Sequence, residues 1–228
     1  MGLDWNPIGK PKPGHEAEFE LLFRLLSGQP LPADSLLQRI KQALVKPDTK
    51  KAKERFTQIQ IEPFETIQAP RVGFDVVADE WARKRYDDNP PAGKTLTQFL
   101  ESMHGYYVVS LSSPSDGLPI YSNSPAGYVE YFSFRAQWLT VECKDILGNE
   151  LLELCYESCL APELASLGMR LRHVATTYSS DNGVEHVEHQ RDIEAQEGSP
   201  ELKAHVLFAA TRWCEWWSSR GHGLEAYF

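Results

Sequence analysis

A chain of 228 residues carrying a net charge of −9, with 42% apolar and 24% charged residues, can bury a sizeable core and has the composition of an ordinary folded domain. That balance excludes global disorder and a coiled coil. The opening MGLDWNPIGK lacks the basic and apolar blocks of a secretory leader, and no apolar run approaches the ~18 residues of a membrane span, so the expectation is a soluble, cytoplasmic protein without membrane contact.

Taken in chain order, residues 1–14 form a proline-rich, irregular lead. Phe19, Leu22, Phe23 and Leu26 then recur at helical spacing and Gly28 supplies a stop, which predicts a first amphipathic helix. A second starts near Asp34, with Leu36, Leu37, Ile40 and Leu44 on one face, and ends at Pro47. Together they predict a helical hairpin over 15–46.

Residues 56–132 read as a mixed region. Thr57, Ile59 and Ile61 alternate with Gln58, Gln60 and Glu62, the period of a half-buried strand. The stretch 63–73 reads as loop, followed by a helix from about Asp75 to Tyr86 that includes Val76, Val77, Ala78 and Trp81. Thr95 with Gln98 three residues on predicts a capping box opening a helix through Met103. Tyr106 to Leu111 has the aromatic and β-branched character of a buried strand, a partner for the one near Ile59, with Tyr128 to Phe132 as a third candidate.

From 133 to 228 the pattern is helical, over 133–147, 150–160, 163–178, 184–196 and 201–219, punctuated by Gly148 and by Asp181-Asn182-Gly183. The fold class predicted is α+β, a mostly helical single domain spanning 1–228 with a small antiparallel sheet.

The four cysteines, Cys143, Cys155, Cys159 and Cys214, fall in predicted helices of a chain large enough to need no staples, so free thiols are expected. Glu153 and Glu157 flank two of them, the wrong surroundings for a reactive thiolate. Residues 1–60 carry 10 Lys+Arg against 7 Asp+Glu, net +3, whereas residues 61–228 carry 13 against 25, net −12. The basic run from Lys46 to Arg55 is the one nucleic-acid signal, but the acidic remainder repels phosphate and argues against that partner.

Arg135 is the sharpest single candidate. Projected on a helix over 133–147 it points inward with Leu139, Ile146 and Cys143, as does Glu142. A buried charge requires a partner, so Arg135 is read either as a structural ion pair or as the residue that holds an anionic ligand beside the preceding loop. That loop presents Asp116, Tyr121 and Asn123 between turn-forming glycines and prolines, a composition suited to recognising a polar ligand or a protein surface. His104, between a helix end and a strand, joins this set of candidate ligand-binding residues. Catalytic residues are not assigned.

Glu185-His186-Val187-Glu188-His189 tempts as a metal motif, but its histidines are three apart where the metalloprotease helix needs four. Trp213, Trp216 and Trp217 lie on the apolar stripe of the last helix, which favours core packing over stacking on a ligand. No metal or cofactor motif is present, so neither is expected. The first functional reading is a binding protein, an acidic inhibitor or immunity-type partner of a basic protein. The alternative is an enzyme on a small polar or anionic substrate held around Arg135 and residues 113–125.

Overall fold

The computed structural model describes residues 2–30, 49–112, 132–190 and 193–228. Its architecture is the expected α+β class, helices predominating over two small antiparallel sheets. The chain gathers into two compact units, one of Met1–Glu62 with Pro119–Phe228, the other of Pro63–Leu118.

The larger unit opens with β1 (Asp4–Pro7) and β2 (Lys10–Pro11), where the sequence predicts irregular chain. β1 pairs with β4 (Leu224–Tyr227), Trp5 opposite Ala226. Strands this short carry too few residues for an alternating pattern, and their partners lie at opposite ends of the sequence. Two further segments extend the ribbon: Phe134 exchanges both backbone hydrogen bonds with Trp5 (2.7 and 2.8 Å), and Cys159 does so with Leu224 (2.9 and 2.8 Å). Trp5 is thus held at the centre, fully buried, its indole N–H donating to the Cys155 carbonyl at 2.8 Å.

α1 (Glu16–Leu26) buries Phe19, Leu21, Leu22 and Phe23. The second half of the predicted hairpin, from Asp34 to Pro47, lies outside the described residues. α2 (Thr49–Gln58) takes Thr57 and Gln58, the first two residues of the strand predicted near Ile59, and leaves β3 (Gln60–Ile61), which pairs with β2. The reason is a helical periodicity that runs into those residues from upstream: Ala52, Phe56 and Ile59 sit at helical spacing and join Phe19, Leu22 and Phe23 in one cluster. Packing against α1 outweighs the local alternation. Arg55 then clasps Glu18 through two hydrogen bonds of 2.7 and 2.8 Å.

The helix predicted over 133–147 begins later. Phe134 is committed to the β1 bridge, so the helical run starts as α6 (Gln137–Glu142) and continues as α7 (Lys144–Leu154). α7 is broken at Gly148, whose left-handed φ of 70° marks the interruption the sequence predicts there. α8 (Ala161–Asn182) ends on Gly183 at φ 68°. Of the helix predicted over 184–196, the described residues form a single 3-10 turn, Glu185–Val187. Glu188 in that connection is tied down instead, its carboxylate on Arg172 at 3.1 Å and its carbonyl on Arg212.

α9 (Pro200–Ser218) is the core helix, burying Trp213, Trp216 and Trp217 among others. The tryptophans are therefore core, as their register predicts. α8 packs along it at Gly168, where an added Cβ would stand 3.0 Å from the Cys214 Cβ. Arg172 on α8 bridges to Glu215 on α9 with paired bonds of 2.5 and 2.6 Å. Among the described residues no helix is long and apolar enough to cross a membrane.

The smaller unit contains α3 (Pro63–Thr66), α4 (Val76–Asp88), α5 (Leu96–Met103) and a 3-10 turn at Val109–Leu111. α5 carries the predicted capping box, both reciprocal bonds present between Thr95 and Gln98. The strand predicted over Tyr106–Leu111 reduces to one bridge, Tyr107 opposite Arg71, so its partner is not the segment near Ile59. Val72, Ala78, Ala82 and Val108 form the core, with Trp81, Phe99, Leu100 and Met103 packed against it.

Candidate functional site

The smaller unit owes its most distinctive surface to the turn from Pro70 to Asp75. Val108 N–H donates to the Pro70 carbonyl (2.8 Å), Val72 N–H to Tyr106 (2.9 Å) and Gly105 N–H to Val72 (2.8 Å), which fastens the turn to the chain leaving α5. Gly73 adopts φ 84°, and a Cβ there would run into the His104 imidazole, so only glycine fits. The next two carboxylates close the turn: Asp75 accepts the Arg71 N–H and Asp79 the Gly73 N–H, each at 2.7 Å. Placed at the start of α4, both also face the positive end of its dipole.

This frame displays alternating cations and rings. The Arg71 guanidinium lies 4.5 Å from the Phe74 ring centre and 5.1 Å from that of Tyr107, while its Nε donates to the Gly105 carbonyl at 3.0 Å. Phe64 stacks on Tyr107 at 4.9 Å and His104 on Phe74 at 5.1 Å. Beside them Trp81 stacks on Tyr106 at 6.2 Å, with Arg85 5.4 Å from the Trp81 ring. Such cation–ring contacts hold about 0.5–1 kcal/mol each at exposed sites, enough to keep the side chains ordered. Phe74, Val76, Val77 and Tyr106 are 64%, 71%, 55% and 53% exposed. The helix predicted from about Asp75 to Tyr86 is present as α4, and its core side is Ala78 and Ala82. Their four-residue spacing is the signal that identifies that face.

The predicted site residues divide as follows. Asp116, Tyr121 and Asn123 lie outside the described residues. His104 is exposed and caps α5, its backbone N–H donating to the Glu101 carbonyl at 3.2 Å while its ring stacks on Phe74 and makes no hydrogen bond among the described residues. Arg135 belongs to the other unit. It precedes α6 rather than standing in a first helical turn, so the helical projection that turned it inward does not apply. Its side chain is 34% exposed and pairs with Asp4, Nε to Oδ1 3.6 Å. Glu142 is buried as predicted, and its partner is a backbone group: Oε2 accepts the Gly198 N–H at 3.0 Å.

The remaining candidates hold no concentrated chemistry. His186 and His189 are exposed and Glu188 is engaged by Arg172; among the described residues no group of three or more His, Cys, Asp or Glu is placed to hold a metal ion. Burial pushes the Cys155 and Cys159 thiols up to about 12, and those of Cys143 and Cys214 further. Protonated thiols of this kind are poor nucleophiles. Comparison with protein-family models, curated proteins and solved structures gives no match.

Proposed function

We propose that this chain works by binding a protein partner, docked on the apolar and aromatic face built around Phe74, Val76, Val77 and Tyr106. One observation carries the reading: four apolar side chains stand more than half exposed on a single small unit, two of them, Phe74 and Tyr106, held by stacked rings. Grouped apolar exposure of this kind marks contact surfaces, and aromatic anchors supply much of the energy when such surfaces are covered. The net charge of −9 favours a basic partner, whose approach it would accelerate at low salt. An inhibitor or immunity-type role toward a cationic protein fits this combination.

The test is affinity purification of the full chain from its native cell extract, with a Val76→Lys, Val77→Lys double variant alongside. Both positions are exposed, so stability should change by less than about 0.5 kcal/mol per site. The wild type should retain a basic protein that high salt releases, and the variant should lose it. Equal retention by the variant would sink the reading. So would a protein that retains no partner yet is thermally stabilised by small anions in a manner abolished by Arg135→Met, which would favour the small-ligand alternative.

A further inference from the structure

In the larger unit the chain leaving α1, the segment 156–159, the first half of α8 and β4 enclose an open cleft of about 980 Å³. Its walls are tied by backbone-directed bonds: Gln29 Nε2 donates to the Ser158 carbonyl at 2.7 Å, and Ser158 Oγ accepts the Ala226 N–H at 3.1 Å. Two arginines line it, and both are spoken for. Arg24 is held by Glu20 at 3.0 Å and Glu163 at 2.9 Å, and Arg170 by Glu150 at 2.9 Å.

Glu157 and Glu225 also line the cleft, both exposed, and neither has an ion-pair partner among the described residues. The lining is therefore short of positive charge. Tyr156 and Phe228 complete it, their rings edge to face at 5.5 Å and 44% and 64% exposed. Rings with accessible faces next to uncompensated carboxylates form the pairing that holds a guanidinium or ammonium group.

We propose that this cleft binds a positively charged segment of a polypeptide, with a Lys or Arg side chain against Tyr156 and Phe228 and its charge met by Glu157 and Glu225. The site lies wholly within the larger unit and does not rest on the docking face around Phe74. The commitment to a polypeptide rests on the size of the cleft, which exceeds what one cationic head fills, and on apolar lining from Leu26, Leu154 and Leu167 that suits side-chain stems.

Calorimetric titration of the full chain with hexa-arginine in about 0.15 M salt, where the Debye length is about 8 Å, tests this. Glu157→Gln with Glu225→Gln should weaken binding roughly tenfold, each exposed pair contributing a few-fold. Tyr156→Leu should weaken it about threefold. A control pair of the same net charge, Glu185→Gln with Glu194→Gln, changes exposed carboxylates of the same unit that do not line the cleft and should leave the Kd within about twofold. Absence of hexa-arginine binding, equal weakening by the control pair, or an unchanged Kd in Tyr156→Leu would each overturn the proposal. The far-ultraviolet circular dichroism of every variant should match the wild type.

Discussion

His222 Nδ1 stands 2.8 Å from the Ile8 carbonyl oxygen, joining the loop before β4 to the chain between β1 and β2. The imidazole is fully buried and lies edge-on to Trp217 at 5.2 Å. Desolvation lowers its pKa from 6.5 to about 4, the hydrogen bond to Ile8 opposing in part.

A pH-dependent loss of stability follows from that depression. As pH falls below about 6.5 the unfolded chain takes up a proton at His222, whereas the folded chain resists until about 4. The stabilisation from the neutral ring is thus full above about 6.5 and disappears between there and 4, by on the order of 3 kcal/mol. Urea unfolding across this window should show the slope, and His222→Gln should flatten it. Carboxylates held low by partners, Glu18 by Arg55 and Asp145 by Lys203, titrate below most of that range.

Glu142 should behave as a structural anchor. Glu142→Ala leaves the Gly198 N–H without its acceptor in a buried setting, a loss of about 2 kcal/mol. Glu142→Gln keeps an oxygen there and should cost less. Denaturation midpoints of the two variants give the comparison; equal losses would mean the carboxylate's charge, not its acceptor geometry, matters.

The Asp4–Arg135 contact should be weak. Both side chains are about one-third exposed, and ion pairs of that exposure contribute roughly 0–1 kcal/mol. Arg135→Met and Asp4→Asn should each leave the unfolding free energy within about 1 kcal/mol of the wild type. A larger loss confined to Arg135→Met would assign the difference to other contacts of that guanidinium.

The thiols should be silent in the folded protein. With Cys155 raised to about 12 and Cys143 and Cys214 higher still, labelling of these three buried thiols at pH 8 should proceed only as fast as the protein opens. Labelling rates measured with increasing urea should track unfolding. Rapid modification of Cys143, Cys155 or Cys214 in native buffer would contradict their burial.

What was readable from residues is what depends on near neighbours along the chain. The apolar spacing of α1, the Thr95–Gln98 capping box, the glycine interruption at 148 and the tryptophan stripe of α9 all involve positions within a few residues, where helix geometry makes pattern and structure the same thing. The inward Glu142 belongs here too, although its partner Gly198 does not.

Everything carried by distant pairing required the tertiary structure. β1 and β4 are four residues each and exist because the two ends of the chain meet; neither has enough alternation to announce itself. Thr57 and Gln58 lie where an upstream helical period of Ala52 and Phe56 meets the alternation that follows, and contact with α1 draws them into the helix. Arg135 failed as an inward helical residue because Trp5, far earlier in the chain, draws Phe134 into a bridge and delays the helix to Gln137. By itself the sequence determined composition class, helical predominance and the core stripe. Only the folded chain decided which apolar residues stay outside, Phe74, Val76 and Val77 above all, because exposure is a property of what the rest of the molecule leaves uncovered.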